Sequence, residues 1–234
     1  MSTNRFRLLA FDWDGTLMDS TARIVSAFRG AMRDTGLPVL AEDTIRDIIG
    51  LGLPEAIASL YPGIDLSDAQ ALASRYSQHY LHDDPTPVRL FAGALELLEQ
   101  LREGGYWLSI ATGKSRRGLD QVLADTGLAG HFLATRCADE TASKPHPDML
   151  ISLMDEFGCT PEETLMIGDS EFDLLMARNA RVPSVGVAHG VHGCERLARH
   201  APLACLRQLN ELTAVLDRAS ANATHNLALQ GTSA

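Results

Sequence analysis

Five short apolar runs constrain this chain more than anything else in it. They are Leu8–Phe11 and residues 107–111, 132–135, 165–167 and 185–188, with Gly, Asp or Pro close by. Runs this short read as strands buried on both faces. Helical periods lie between the later ones. Leu95, Leu98 and Leu101 recur before Gly104-Gly105 stops the helix. Leu119, Val122 and Leu123 share one face. Pro147 opens a helix at Asp148 lined by Leu150, Ile151 and Met154, and Leu174, Leu175 and Ala177 mark another. Strands alternating with helices predict an α/β fold, a doubly wound parallel sheet.

One stretch does not alternate. Residues 18–87 read as helical throughout. Ile24, Val25, Phe28, Ala31 and Met32 form an amphipathic stripe ended by Gly36 and Pro38. Ile45, Ile48 and Ile49 precede Gly50, Pro54 begins a further helix, and Asp65 to Asp68 cap another. The domain reading is therefore an α/β core over residues 1–17 and 88–219, interrupted by an α-helical insert at 18–87. Residues 220–234, rich in Ala, Asn, Thr and Ser, read as a disordered tail.

The 234 residues carry a net charge of −10, with no run of Lys and Arg. That argues against nucleic acid, whose binding rests on phosphate neutralisation by clustered cations. No apolar run approaches the roughly 20 residues of a membrane span, and the N-terminus has no apolar signal core. Cys137, Cys159, Cys194 and Cys205 make no C-x-x-C pair. They read as reduced thiols of a cytoplasmic protein, either monomer or homodimer. His192 and Cys194 alone are too few for a zinc site.

In an open parallel sheet, ligands gather beyond the carboxyl ends of the strands. The first run ends in Asp12-Trp13-Asp14-Gly15-Thr16, the second in Thr112-Gly113-Lys114, and the fourth in Gly168-Asp169-Ser170 followed by Asp173. Lys144 stands in the loop Ser143-Lys144-Pro145, within reach of the same edge. Asp12 and Asp14, two apart on extended backbone, face one side. Two close carboxylates repel, so one tends to hold a proton. The pattern offers hard oxygen ligands, the kind that Mg²⁺ takes with waters and phosphate.

These segments, in this order, resemble the four motifs of the haloacid dehalogenase superfamily, over about residues 6–217. The insert resembles the helical cap of its phosphoglycolate phosphatase-like branch. From average composition, Asp-x-Asp-Gly-Thr alone arises in roughly a few per thousand chains of this length. The resemblance implies a Mg²⁺-dependent phosphatase that forms an aspartyl-phosphate on Asp12. Asp14 would act as general acid and then base, and its carbonyl would ligate the ion. Thr112, Gly113 and Lys144 would hold the phosphoryl group. Asp169 would bind the ion directly, and Asp173 would orient a water on it. Where the family often has Asn or Ser, this chain has Gly113. Lys114 and Arg117 are candidate substrate contacts, whereas His189 and His192 read as loop residues.

The loop Gly50-Leu51-Gly52-Leu53-Pro54, flanked by Arg46 and Glu55, resembles the cap's specificity loop and carries no charge. A lid of this kind predicts a small soluble phosphomonoester, with 2-phosphoglycolate as first candidate by resemblance and sugar phosphates, nucleoside monophosphates and pyrophosphate behind it. The alternatives within the superfamily are a phosphomutase or a pyrophosphatase. Thr16 stands where mutases often carry Val, and Asp14 argues against dehalogenation. A non-catalytic binding protein on the same scaffold is the alternative outside enzymes.

Overall fold

The computed structural model describes residues 4–231, and the side chains of residues 4–222. In chain order the elements begin with β1 (Leu8–Phe11), β2 (Met18–Asp19), α1 (Thr21–Thr35), α2 (Glu42–Arg46), α3 (Leu53–Leu60) and α4 (Leu66–Gln78). Then come β3 (Arg89–Leu90), α5 (Ala94–Glu103), β4 (Trp107–Thr112), α6 (Arg116–Thr126), β5 (Ala134–Cys137) and α7 (Asp148–Phe157). The last are β6 (Thr164–Gly168), α8 (Glu171–Asn179), β7 (Ser184–Val187), α9 (Cys194–Ala198), β8 (Cys205–Leu206) and α10 (Leu212–Gly231).

Six strands form one parallel sheet in the order β5-β4-β1-β6-β7-β8. The chain winds outward from β1 through β4 to β5, then crosses to build the other half. This is the doubly wound α/β fold that the alternation predicts. The reversal makes β1 the switch point, where ligands bind in such sheets.

Every residue of β1 is buried, and successive side chains go to opposite faces. Leu9 and Phe11 join Leu97, Leu98 and Leu101 of α5, Leu119 of α6 and Leu212 of α10. Leu8 and Ala10 join Met149, Leu150 and Leu153 of α7 and Met176 of α8. The predicted helices form, but their faces turn slightly. Leu95 and Ile151, assigned to buried stripes, are 38% and 41% exposed, while Leu97 and Leu153 are buried instead.

The insert has its own apolar centre, built from Ile24 and Phe28 of α1, Ile45, Ile57 and Leu72. Residues 18–87 are not helical throughout. Met18–Asp19 pairs antiparallel with Arg89–Leu90, so a two-stranded ribbon carries the chain into the insert and back. Two-residue strands have no periodicity to read.

Two further expectations change. Cys194 and Cys205 form a disulfide, leaving Cys137 and Cys159 free. The start of α9 and the edge strand β8 meet only in the folded chain, which spacing does not show. With that bond in place, the cysteines no longer argue for a reducing compartment, and Cys194 is not available beside His192 as a metal ligand. Helix α10 also runs through Gly231, into the segment read as disordered. Its Ala and Leu residues favour helix more than its Asn and Thr oppose it. Residues 232–234 lie outside the described residues. Among the described residues, no helix is long and apolar enough to cross a membrane.

Leu9 is fully buried at the centre of the sheet. Leu9→Ala should therefore cost about 2–5 kcal/mol of stability by urea unfolding.

Candidate active site

Phe11, Ile110 and Ile167 are in register on β1, β4 and β6. The residues that follow them emerge side by side at the carboxyl edge. The Asp12 amide still donates to the Ile167 carbonyl at 2.9 Å. Thr112 ends β4, Asp169 follows β6, and Asp173 lies in the first turn of α8. Lys144 comes from the loop between β5 and α7. All five side chains are buried.

Lys144 Nζ donates to Asp12 Oδ1 and to Asp173 Oδ1, each at 2.6 Å. Carboxylate oxygens of Asp12, Asp169 and Asp173 lie within 4.8 Å of one another. Two of these three carboxylates thus share one ammonium, and Asp169 stands beside them without one. Burial pushes Asp12 up to about 7 against the pull of Lys144, and the nearby Asp173 and Asp14 add to the rise. Burial, then Asp12 and Asp173, drive Asp169 well above the usual carboxylate range. Burial draws Lys144 downward, but Asp12 and Asp173 outweigh it and hold it above an ordinary lysine. The cluster is short of positive charge and presents hard oxygen donors, a donor set that fits Mg²⁺.

Asp169 is aimed into the cluster by its neighbours. Thr16 Oγ1 donates to its Oδ1 at 2.9 Å, and the Val191 amide donates to its Oδ2 at 2.7 Å. A Cβ on Gly15, whose φ is +85°, would lie 2.1 Å from that Oδ2. Asp173 is engaged through both oxygens. Its Oδ1 takes Lys144, and its Oδ2 accepts from the Ser170 amide at 3.0 Å and hydroxyl at 2.6 Å. In this arrangement it holds the lysine and caps α8.

Asp14 sits apart from this trio on the cavity side. Ser20 Oγ donates to its Oδ1 at 2.5 Å, and Lys114 Nζ lies 3.0 Å from its Oδ2. Lys114 also donates to the Tyr80 hydroxyl at 3.0 Å, with its ammonium 4.4 Å from that ring's centroid. Burial lowers Lys114, and Asp14 and Tyr80 more than restore it. Ser20 and Tyr80 had no signal as site residues. Ser20 reads as an ordinary helix N-cap, and the fold spends its hydroxyl on Asp14. Tyr80 belongs to a π-turn, His79–Asp83, that continues α4.

Between the core and the insert lies a partly open cavity of about 110 Å³, with Asp12, Asp14, Thr112 and Lys114 on its core side. The Gly50-Leu51-Gly52 loop closes one end. Gly52 donates its amide to Ser143 Oγ at 2.8 Å. The carbonyls of Leu51 and Gly50 press on Gly113, where a Cβ would lie 2.5 and 2.7 Å from them. This close approach explains the glycine that departs from the family pattern. Arg196 ties the insert to the core, bonding Asp47 at 2.7 Å and Glu171 on the other side.

The remaining candidates lie outside the cluster. Arg117 is exposed and does not line the cavity. His189 Nε2 is 3.0 Å from the Thr16 carbonyl, and its ring packs on Phe91. His192 Nδ1 accepts from the Glu171 amide at 2.9 Å, at the start of α8, and burial lowers its pKa. Trp13 packs into the core against Phe132.

Gly113→Ser should force the Gly50–Gly52 loop away from the core. We expect a drop of roughly tenfold or more in kcat/KM, since near-ångström misplacements carry large penalties. Faster proteolysis within residues 48–53, with the core's melting temperature little changed, would accompany it.

The family described as haloacid dehalogenase-like hydrolase matches residues 9–187. A protein named probable phosphatase IndB from Dickeya dadantii is 34% identical over 210 residues, 88% of this chain and 91% of that one. A phosphoglycolate phosphatase from Agrobacterium fabrum is 32% identical, over 78% and 81% of the two chains. Among solved structures, a hydrolase from Pseudomonas syringae aligns with a TM-score of 0.82 at 28% identity, covering 91% of this chain and 98% of that one. The chain belongs to the haloacid dehalogenase-like hydrolases, in their phosphoglycolate phosphatase-like branch of phosphatases.

Proposed function

We propose that this chain is a Mg²⁺-dependent phosphatase that hydrolyses a small phosphomonoester through a covalent aspartyl-phosphate on Asp12. The observation carrying this reading is the Asp12 carboxylate itself. It is buried, held 2.6 Å from Lys144, and opens on the same cavity as Asp14 and Thr112.

An Asp12 oxygen attacks phosphorus, and the bond from phosphorus to the ester oxygen breaks. Asp14 gives its proton to the departing alkoxide. A water then attacks the phosphorus of the aspartyl-phosphate, Asp14 takes its proton, and the bond to Asp12 breaks to release phosphate. A carboxylate nucleophile divides one hard displacement into two easier ones, and one residue serves as acid and then base. Ser20 and Lys114 hold the Asp14 carboxylate in place. The Thr112 hydroxyl accepts from the Lys114 amide at 3.2 Å, which leaves its own hydrogen for a phosphoryl oxygen. The Gly113 amide supplies a second donor, and Lys144 a positive charge.

Asp12, Asp169 and the Asp14 carbonyl are the groups that would hold Mg²⁺. When bound, the ion supplies positive charge to the phosphoryl oxygens. Asp173 serves that site through Lys144. The insert, residues 18–87, acts as the cap that shields the reaction from water. Phosphoglycolate is what several relatives' names specify, and for this chain it is one candidate among small esters.

Hydrolysis of p-nitrophenyl phosphate should require Mg²⁺. Asp12→Asn should lose at least about a thousandfold in kcat, because uncatalysed phosphate-ester hydrolysis is among the slowest of reactions. A variant keeping a tenth of the rate would remove the covalent scheme.

Stability should report the same cluster. Asp12 has a folded pKa of about 7, raised from 3.8. A raised carboxyl costs folding stability once the unfolded group ionises, so metal-free stability should fall as pH climbs from about 4 to about 7. Melting curves with EDTA and with Mg²⁺ should therefore diverge more at pH 8 than at pH 5.

A further inference from the structure

The cavity wall opposite Asp12 is apolar. Its insert side is built from Ile24, Phe28, Ile48, Leu53, Tyr76 and Tyr80. Among the described residues lining the cavity, the only cation outside the buried cluster is Lys114. That ammonium is already committed, lying 3.0 Å from Asp14 Oδ2 and 3.0 Å from the Tyr80 hydroxyl. Other basic residues of the insert point elsewhere. Arg23 donates to the Thr86 carbonyl at 2.6 Å, Arg29 pairs with Glu42, and Arg75 pairs with Asp34. Arg46, which flanks the specificity loop, does not line the cavity. The neutral polar side chains on the lining are Tyr76, Tyr80, Ser77, Ser115 and Thr112; Tyr80 accepts from Lys114, Ser77 donates to the Ala73 carbonyl and Ser115 accepts from the Gly118 amide.

The phosphoryl group must sit over Asp12, so the alcohol part of the ester projects into this apolar space. A carboxylate or a second phosphate there would compete with Asp14 for Lys114 and otherwise rest unpaired on hydrocarbon. An unpaired buried charge is strongly disfavoured, whereas hydrocarbon on hydrocarbon gains from leaving water. We infer that the substrate is the phosphate ester of a small, uncharged, mainly hydrocarbon alcohol. Such esters are preferred over 2-phosphoglycolate and over bisphosphates. The inference rests on the phosphatase reading above and adds the chemistry of the leaving group.

Isobutyl phosphate and 2-phosphoglycolate form a matched pair, because two methyl groups replace two carboxylate oxygens on the same short stem. With Mg²⁺, the intact enzyme should show kcat/KM at least about tenfold higher for isobutyl phosphate, a modest demand given the cost of an unpaired buried charge. Calorimetry on the Mg²⁺-loaded Asp12→Asn variant should give the same order of binding. Leu53→Arg places a cation at the partly exposed rim of the apolar wall and should shift both ratios toward 2-phosphoglycolate. Equal or better use of 2-phosphoglycolate by the unaltered pocket, or ratios unmoved by Leu53→Arg, would overturn the leaving-group assignment while leaving the phosphatase reading standing. The predicted order in calorimetry, with neither ester nor p-nitrophenyl phosphate hydrolysed by the intact enzyme, would support the pocket assignment and remove the phosphatase reading.

Discussion

The rest of the site depends on one buried ammonium. Lys144 is held between Asp12 and Asp173, with hydrogen bonds of 2.6 Å to each. A lysine excluded from water survives as a cation only where carboxylates meet it. Each carboxylate in turn needs the lysine to remain charged. This reciprocity joins three segments far apart in sequence, at the ends of β1 and β6 and in the loop after β5. One ammonium does not balance three acids, so the same cluster that fixes Lys144 also calls for a further cation. Its structural tension and its proposed chemistry have a common origin in uncompensated negative charge.

A second set of contacts decides how the insert meets the core. The ribbon of β2 and β3 carries the chain out and back, Arg196 bridges Asp47 and Glu171, and the Gly50–Gly52 loop seats against Gly113 and Ser143. The seating joins Tyr80 of the insert to Lys114 of the core, and through Lys114 to Asp14. The proposed general acid and base is therefore positioned partly by the lid above it. Under the proposed function, seating of the insert and positioning of Asp14 would be coupled through this contact.

Much of this was legible from short motifs. The apolar runs ending in Asp, Thr or Gly mark the strands, and the carboxyl-edge rule brings Asp12, Thr112 and Asp169 to one place. Helix faces were less legible. Leu95 and Ile151 fit a helical period yet stand partly exposed, because the angle at which a helix packs selects among adjacent apolar residues. The two-residue strands at either end of the insert were invisible, since pairing needs a partner that lies about 70 residues away. The Cys194–Cys205 bond escaped although its cysteines are only 11 residues apart, because the start of α9 and the edge strand β8 meet only in the folded chain.

Fold class and chemical inventory follow from strand and helix periods and motif spacings, which are local properties of the chain. Packing alone makes Asp173 hold Lys144, makes Ser20 and Lys114 hold Asp14, and makes the Leu51 carbonyl require Gly113. It also makes the space above Asp12 apolar. Those are contacts between residues distant along the chain. Their existence depends on how the insert and the sheet pack together, which no local pattern encodes.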